Sequence, residues 1–401
     1  MDGLKNYFGN VKKQFKVKNF IPYFVFFFVI ILFFCLQNGG ALKRSSLFLL
    51  EQIGYYMIAA MALSLVVGFL GELSIGHAAF MSIGAFSGVW VRQTLLLNLT
   101  KSSPFLSLMI AVLIGGLIAA VFGFIIGLPA LRLKGDYLAI VTLAFGEIVK
   151  TVLKNVFSSG ESVGELKNLY RYSSKDLYLI CFVFAFITLI IINNLIRSKH
   201  GRAIMAIRDN EIAARAMGVN VTYYKLMVFV LSAFFAGVAG VFFGVSQDYS
   251  LNPSSFDYNK SINLLVMVVL GGMGNINGSI IAAVAITFID VKLSTSIGGA
   301  LKGLIYALIL IAIVIYNNAP KLKSFREKHN FRVYWNKVTA WLTKVFTKKH
   351  PTVDPAKETE SNADWSKIPT KVEMDAILST DLTPDDSYVP DKPDKPKGEQ
   401  K

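Results

Sequence analysis

Long apolar runs organise the chain, at about residues 20–36, 47–70, 77–97, 106–128, 137–156, 177–196, 223–246, 261–289 and 297–318, with short polar stretches between them. A helix needs about 20 mostly apolar residues to cross a hydrocarbon core roughly 30 Å thick, and most of these runs have that length. In lipid every backbone polar group must be satisfied internally, so runs of this kind wind as helices. The pattern predicts an all-α integral membrane protein.

The run 261–289 is too long for one span and is interrupted by "GGMGNINGS", which holds Gly271, Gly272, Gly274 and Gly278. Splitting it there gives about ten transmembrane helices. A second interruption, "GFLGELSIGHAAF" with Gly68, Gly71 and Gly76, falls between the second and third runs. Irregular backbone at membrane depth is tolerated only where it is buried in protein or lines a wet cavity. Paired broken segments in two halves of a chain point to a transport site near the midplane. On this reading Gly71, Ser74, Gly76, His77, Gly271, Gly272, Gly274 and Asn275 line a substrate pathway, joined by Thr142 and Glu147. The alternative is glycine used for close helix packing.

One polar stretch is itself helix-prone: "SKHGRAIMAIRDNEIAARAMGVN", residues 198–220, with Lys199, Arg202, Arg208, Asp209, Glu211 and Arg215. Its spacing predicts a single helix over 203–217 with an apolar face of Ala203, Ile207, Ala214 and Met217. Arg208, Glu211 and Arg215 share another face, where Glu211 is placed for i,i+3 and i,i+4 pairing. Gly201 precedes this helix and Gly218 ends it. Small residues such as Ala213 and Ala214 let another protein approach closely.

Composition agrees with the pattern. The 401 residues are 54% hydrophobic and 17% charged, against about a quarter charged in a soluble domain. The net charge of +15 suits the positive-inside tendency better than nucleic-acid binding, because the basic residues sit in short loops and at the ends. Lys5, Lys12, Lys13, Lys16 and Lys18 precede the first run, and no A-x-A-like cleavage site follows it. Residues 1–19 thus form a basic cytoplasmic N-terminus before an uncleaved span. Alternation then puts Arg132 and Lys134, and the loop 197–222, on the inside, with 157–176 and 247–260 outside. The membrane domain covers 20–318, and both termini are cytoplasmic.

Residues 319–350 are basic, and Phe331, Trp335, Val338, Trp341, Leu342, Val345 and Phe346 recur at helical spacing. This suits an amphipathic helix on an anionic inner leaflet or against a partner subunit. The tail 351–401 holds seven of the 12 prolines and twelve acidic residues, a composition that favours disorder.

The motifs of self-contained chemistry are missing. No G-x-x-x-x-G-K-[ST] cradles ATP phosphates, four His and two lone Cys (Cys35, Cys181) form no zinc signature, and no G-x-S-x-G has a plausible base. Candidate intramembrane ionisable groups, within the runs or at their edges, are Glu72, His77, Asp136, Glu147 and Asp290. An intramembrane charge is a functional candidate by default, although Glu147 has Lys150 and Lys154 nearby as ordinary ion-pair partners. No enzyme activity and no cofactor are expected.

Four blocks in order, "GELSIGHAAFMSIGAF", "GDYLAIVTLAFGEI", "GRAIMAIRDNEIAARAMGVNVTYYKLMVFVLSAFFAGVAG" and "LVMVVLGGMGNINGSIIAAV", resemble the LivM-type permeases of branched-chain amino acid ABC importers. The resemblance covers roughly residues 50–318. It implies a bacterial cell-membrane assembly with two ABC ATPase subunits, a second, LivH-like permease subunit and an external substrate-binding protein. The 203–217 helix would then be the place where an ATPase pushes, and the missing P-loop lies in another chain. Gly201, Arg202, Ala203, Ile207, Arg208, Glu211, Ala213, Ala214, Met217 and Gly218 are its implied coupling residues. "EIAARAMG" has one residue more than the E-A-A-x-x-x-G of many other importers, and His77 stands where the family often has Gln. The alternatives are an ABC permease for sugars, nucleosides or urea and short amides, and an ion-coupled secondary transporter using Glu72 and Glu147.

Overall fold

A computed structural model describes residues 21–39, 43–133, 135–156, 166–167, 174–247 and 250–296, with Leu308 and Ile311. All lie in the first of two units of the chain, Met1–Ala319. The basic N-terminus, nearly all of the loop 157–176, most of the run 297–318, the basic segment 319–350 and the tail 351–401 lie outside the described residues.

The described chain is almost wholly helical: α1 (Ile21–Asn38), α2 (Arg44–Ser64), α3 (His77–Thr94), α4 (Leu97–Ser102), α5 (Pro104–Ala130), α6 (Asp136–Val156), α7 (Ser174–Arg197), α8 (Lys199–Asp209), α9 (Glu211–Ala216), α10 (Val221–Ser246), α11 (Tyr258–Gly271) and α12 (Ile276–Ser296). A two-residue antiparallel pairing, Leu166 with Leu251 and Lys167 with Ser250, ties two connecting segments together. The starts follow from sequence. Pro104 opens α5, where its missing N–H costs nothing. The side chains of Ser198, Asn210, Asn220 and Asp257 cap α8, α9, α10 and α11 by accepting from backbone amides of the first turn.

Five of the described helices are long and apolar enough to cross a membrane: α2 with its extension to Leu70, α5, α7, α10 and α12. Other described helices on these runs fall short for physical reasons. Arg92 and Gln93 make α3 more polar, Asp136, Glu147, Lys150 and Lys154 do so for α6, and α11 has only 14 residues. The break in 261–289 is present, as the turn between α11 and α12.

Helix α2 sits at the centre, with 94% of its most apolar window buried, against 33% for the peripheral α5. It packs against α7, α10, α11 and α12, while α3, α5 and α10 pack against one another. Small residues allow that second group its closeness. A Cβ on Gly84 would collide with the Gly237 backbone, and one on Gly240 with the Met81 carbonyl. A Cβ on Gly237 would meet the Ala119 methyl at 2.5 Å. Glycine seams of this kind bring helix backbones together where side-chain burial offers little driving force.

Candidate functional site

The first break begins before its glycines. After Ser64 the α2 ladder widens into a π stretch, Leu65–Leu70, which ends at Gly71 with φ of 79°. Positive φ suits glycine, which has no Cβ to clash. An irregular segment then runs to Gly76, and α3 starts at His77.

Buried side chains hold this segment. Thr142 Oγ1 on α6 accepts from the Ile75 amide at 3.1 Å, and Ser261 Oγ on α11 accepts from the Ala78 amide at 3.0 Å. Gly76 packs on Thr142, whose carbonyl oxygen would lie 2.5 Å from an added Cβ. His77 Nε2 lies 2.7 Å from Ser232 Oγ on α10, and its Nδ1 lies 3.4 Å from Ser74 Oγ. Ser232 Oγ donates to the Ala62 carbonyl, so it accepts from His77, and the ring proton is on Nε2.

Helix rise gives the depth of each end. Ser232 lies 11 residues beyond the α10 start at Val221, about 16 Å along the axis at about 1.5 Å per residue. Lys225 is only about 6 Å along it by the same measure, and its Nζ meets Glu72 Oε1 at 2.5 Å. The segment from Gly71 to Gly76 thus climbs from the α8–α9 end of the bundle to its middle.

The second break meets the first. Gly272 and Gly274 have φ of 89° and 81°, and a Cβ on Gly68 would lie 2.7 Å from the Gly274 amide nitrogen. Gly271 packs against Gly278 and Ser279 across the turn. Asn275 is exposed, and its Oδ1 accepts from the Gly278 amide at 3.3 Å. Both breaks were expected near the midplane. Gly71 and Gly274 instead lie beside Arg208 at the α8–α9 end, and only Ser74, Gly76 and His77 reach mid-bundle.

The expected single helix over 203–217 is two helices. Asn210, extended at φ −158° and ψ 105°, ends α8 and caps α9, accepting from the Ala213 amide at 3.0 Å. This joint rotates the expected apolar face apart. Ile207 and Ala214 turn inward and are buried, as is Gly201, whereas Ala203 is half-buried. Met217 is 84% exposed and Ile212 79% exposed, with Arg202, Ala213 and Tyr223 also outward. Gly218, at φ 81°, ends the pair as the spacing predicts.

The charges divide as well. Glu211 pairs with Arg215 at 2.9 Å and with Lys225 Nζ at 3.2 Å. Arg208 does not join them: its Nε and Nη2 donate to Asp209 and its Nη1 to the Gly68 carbonyl at 3.4 Å. Lys225, with a side chain 5% exposed, is the functional candidate that pattern reading overlooks. Its one signal is an ionisable residue inside an apolar run. Ser232 and Ser261 carry no signal in sequence.

Glu147 forms the ordinary ion pair, with Lys150 Nζ at 3.0 Å. It also borders a shallow crevice between α3, α6 and α11, with room for little more than one water, lined by Ile75, Leu143, Phe256 and Tyr258 among others.

The family model described as "Branched-chain amino acid transport system / permease component" matches residues 45–314, which includes both breaks and the polar helix pair. The chain belongs to this permease family. Over 273 residues, 60% of this chain and 62% of the relative, it is 35% identical to the high-affinity branched-chain amino acid transport system permease protein LivM of Salmonella typhimurium. It is 35% identical to LivM of Escherichia coli over 260 residues, 57% and 59% of the two chains. The chain thus spans about three-fifths of the length of these two relatives. A fructose import permease protein of Bifidobacterium longum is 26% identical over 71% of this chain and 80% of its own. No solved structure matches. Within the permease the family match runs from the first turn of α2, through the Gly68–Gly274 meeting point, to beyond α12.

Proposed function

We propose that the chain is the membrane-spanning permease subunit of an ABC importer that moves branched-chain, hydrophobic amino acids inward. ATP hydrolysis occurs in two separate ATPase subunits. A LivH-like permease completes the pathway and an external binding protein delivers the substrate. About ten spans with both termini cytoplasmic in a bacterial inner membrane fit this role.

The observation that carries the reading is the exposed apolar edge of the polar helix pair, Ile212, Ala213 and Met217, beside the meeting point of the two glycine breaks. Outward aliphatic side chains clustered on an otherwise polar connector suit a surface that another protein covers. Gly201, Ile207 and Ala214 support that edge from within, and Arg202, Ala203, Arg208, Glu211 and Gly218 complete the coupling surface. For the pathway, the segment Gly71–Gly76 offers backbone polar groups at mid-bundle, and Ile75 and Leu143 beside it offer apolar side chains. A zwitterion with an aliphatic side chain needs both, and broken helix ends can meet its charges without charged side chains. Glu147, already paired with Lys150, does not suit a proton relay.

The fructose permease similarity supports sugar as a second substrate class. Proteoliposomes containing the permease pair, the ATPases and the binding protein test both readings. ATP-driven accumulation of radiolabelled leucine, abolished by a non-hydrolysable ATP analogue, is the expected result. Accumulation of fructose but not leucine would move the chain to the sugar reading.

A further inference from the structure

Charged side chains join the polar helix pair to both glycine breaks. The Arg208 guanidinium is divided between two tasks: Nε and Nη2 hold Asp209 on the polar pair, and Nη1 donates to the Gly68 carbonyl. Its stem fills the space over Gly71, with Cγ 2.7 Å from where a Cβ would stand. The same Nη1 lies 3.4 Å from a Cβ position on Gly274. One side chain thus touches both breaks where they meet. Beside it, Lys225 bridges Glu72 of the first break, at 2.5 Å, and Glu211 of α9, at 3.2 Å. Separating such a buried bridge would strand a charge in a dry setting, so its three members move together.

We propose that Arg208, with the Glu72–Lys225–Glu211 bridge, is the linkage that carries displacement of α8–α9 to the Gly68–Gly274 contact. Arg208 acts as a positioning residue: it touches no substrate, and it sets whether the two breaks stay closed against each other. The inference deepens the importer reading and rests on it for the source of the displacement. Asn210 makes the device workable, because a joint between α8 and α9 lets the pair pull on Arg208 and Glu211 without unwinding either helix.

Ser64 supplies a readout that needs no transport. It is fully buried, and its Oγ lies 3.1 Å from a Cβ position on Gly68, so a thiol there reacts only when the contact opens. The test uses the full chain in membrane vesicles, with Cys35→Ser, Cys181→Ala and Ser64→Cys as the parent and a small charged methanethiosulfonate as the probe. Arg208→Gln should raise the labelling rate at least tenfold. Glu72→Gln combined with Lys225→Met, which removes two of the three charges and leaves Glu211 paired with Arg215, should do the same. Arg208→Lys and Lys225→Arg should stay within threefold of the parent.

A second arm measures leucine taken up per ATP hydrolysed in the assembled complex. Arg208→Gln should lower that ratio at least tenfold while the ATPases still co-purify. Equal labelling rates across all variants, or an unchanged uptake-to-hydrolysis ratio, would overturn the linkage. Labelling that depends on Arg208 in a complex showing no ATP-driven uptake would leave the linkage standing and remove the importer reading.

Discussion

His77 is held at both ring nitrogens, donating through Nε2 to Ser232 and facing Ser74 with Nδ1. The Nε2 bond carries the geometry, because it fixes the start of α3 to the middle of α10. A Gln amide can donate to Ser232 from a similar distance, so His77→Gln should keep leucine uptake within about threefold. His77→Phe fills the volume but takes away the donor to Ser232, which keeps only its bond to the Ala62 carbonyl, and the partner of buried Ser74, at about 1–3 kcal/mol for a stranded polar group. It should lower the Tm and reduce uptake. The glycines of the breaks separate in the same way. Gly272 has φ of 89° and open space around a Cβ position, so Gly272→Val should fold at a strain cost of about 1–3 kcal/mol and lose uptake. Gly76→Val collides with the Thr142 carbonyl and should instead lower the yield of folded protein, as gel-filtration recovery would show. At this scale the sequence was informative wherever residue type alone limits the options, as for glycine at positive φ. It was silent on Ser232 and Ser261, ordinary hydroxyls that matter only because distant helices face them.

The polar helix pair was legible as helix-forming and as sharply ended at Gly218, but its joint was not. Asn210 reads as one polar residue among several, although Asn is also a favoured N-cap, and with Glu211 in the next position that was the available hint. The joint decides which residues face outward, so it changes which substitutions are informative. Ile212→Asp together with Met217→Asp alters only exposed side chains. This double change should leave the Tm of the chain within about 2 °C, since surface substitutions cost little stability, and reduce co-purification of the ATPases at least tenfold. Ala214→Trp would act differently, forcing a large ring into a buried position, and should lower stability. Normal ATPase recovery with the double variant would assign docking to another surface.

Across the whole molecule, helix positions followed from apolar run length: the structure places described helices on eight of the nine runs, with 261–289 divided at its glycines, and five of them are long and apolar enough to cross a membrane. The depth of the breaks did not follow, because depth depends on which helices pack beside them. Reporter fusions at Lys167 and just after Pro351 should report opposite sides of the membrane if ten spans place both ends inside. The same side for both would require a different count. The backbone seams among α3, α5 and α10 bear on how any such molecule moves. Where Gly84 abuts Gly237 and Gly240 abuts Met81, there is no layer of side chains to act as a soft gasket. Such a joint has little compliance: it can neither slide by a rotamer change nor absorb a small rotation. The three helices then behave as one rigid chassis, and on the importer reading alternating exposure has to come from parts joined to it, such as α8–α9 and α11–α12, which meet at Arg208.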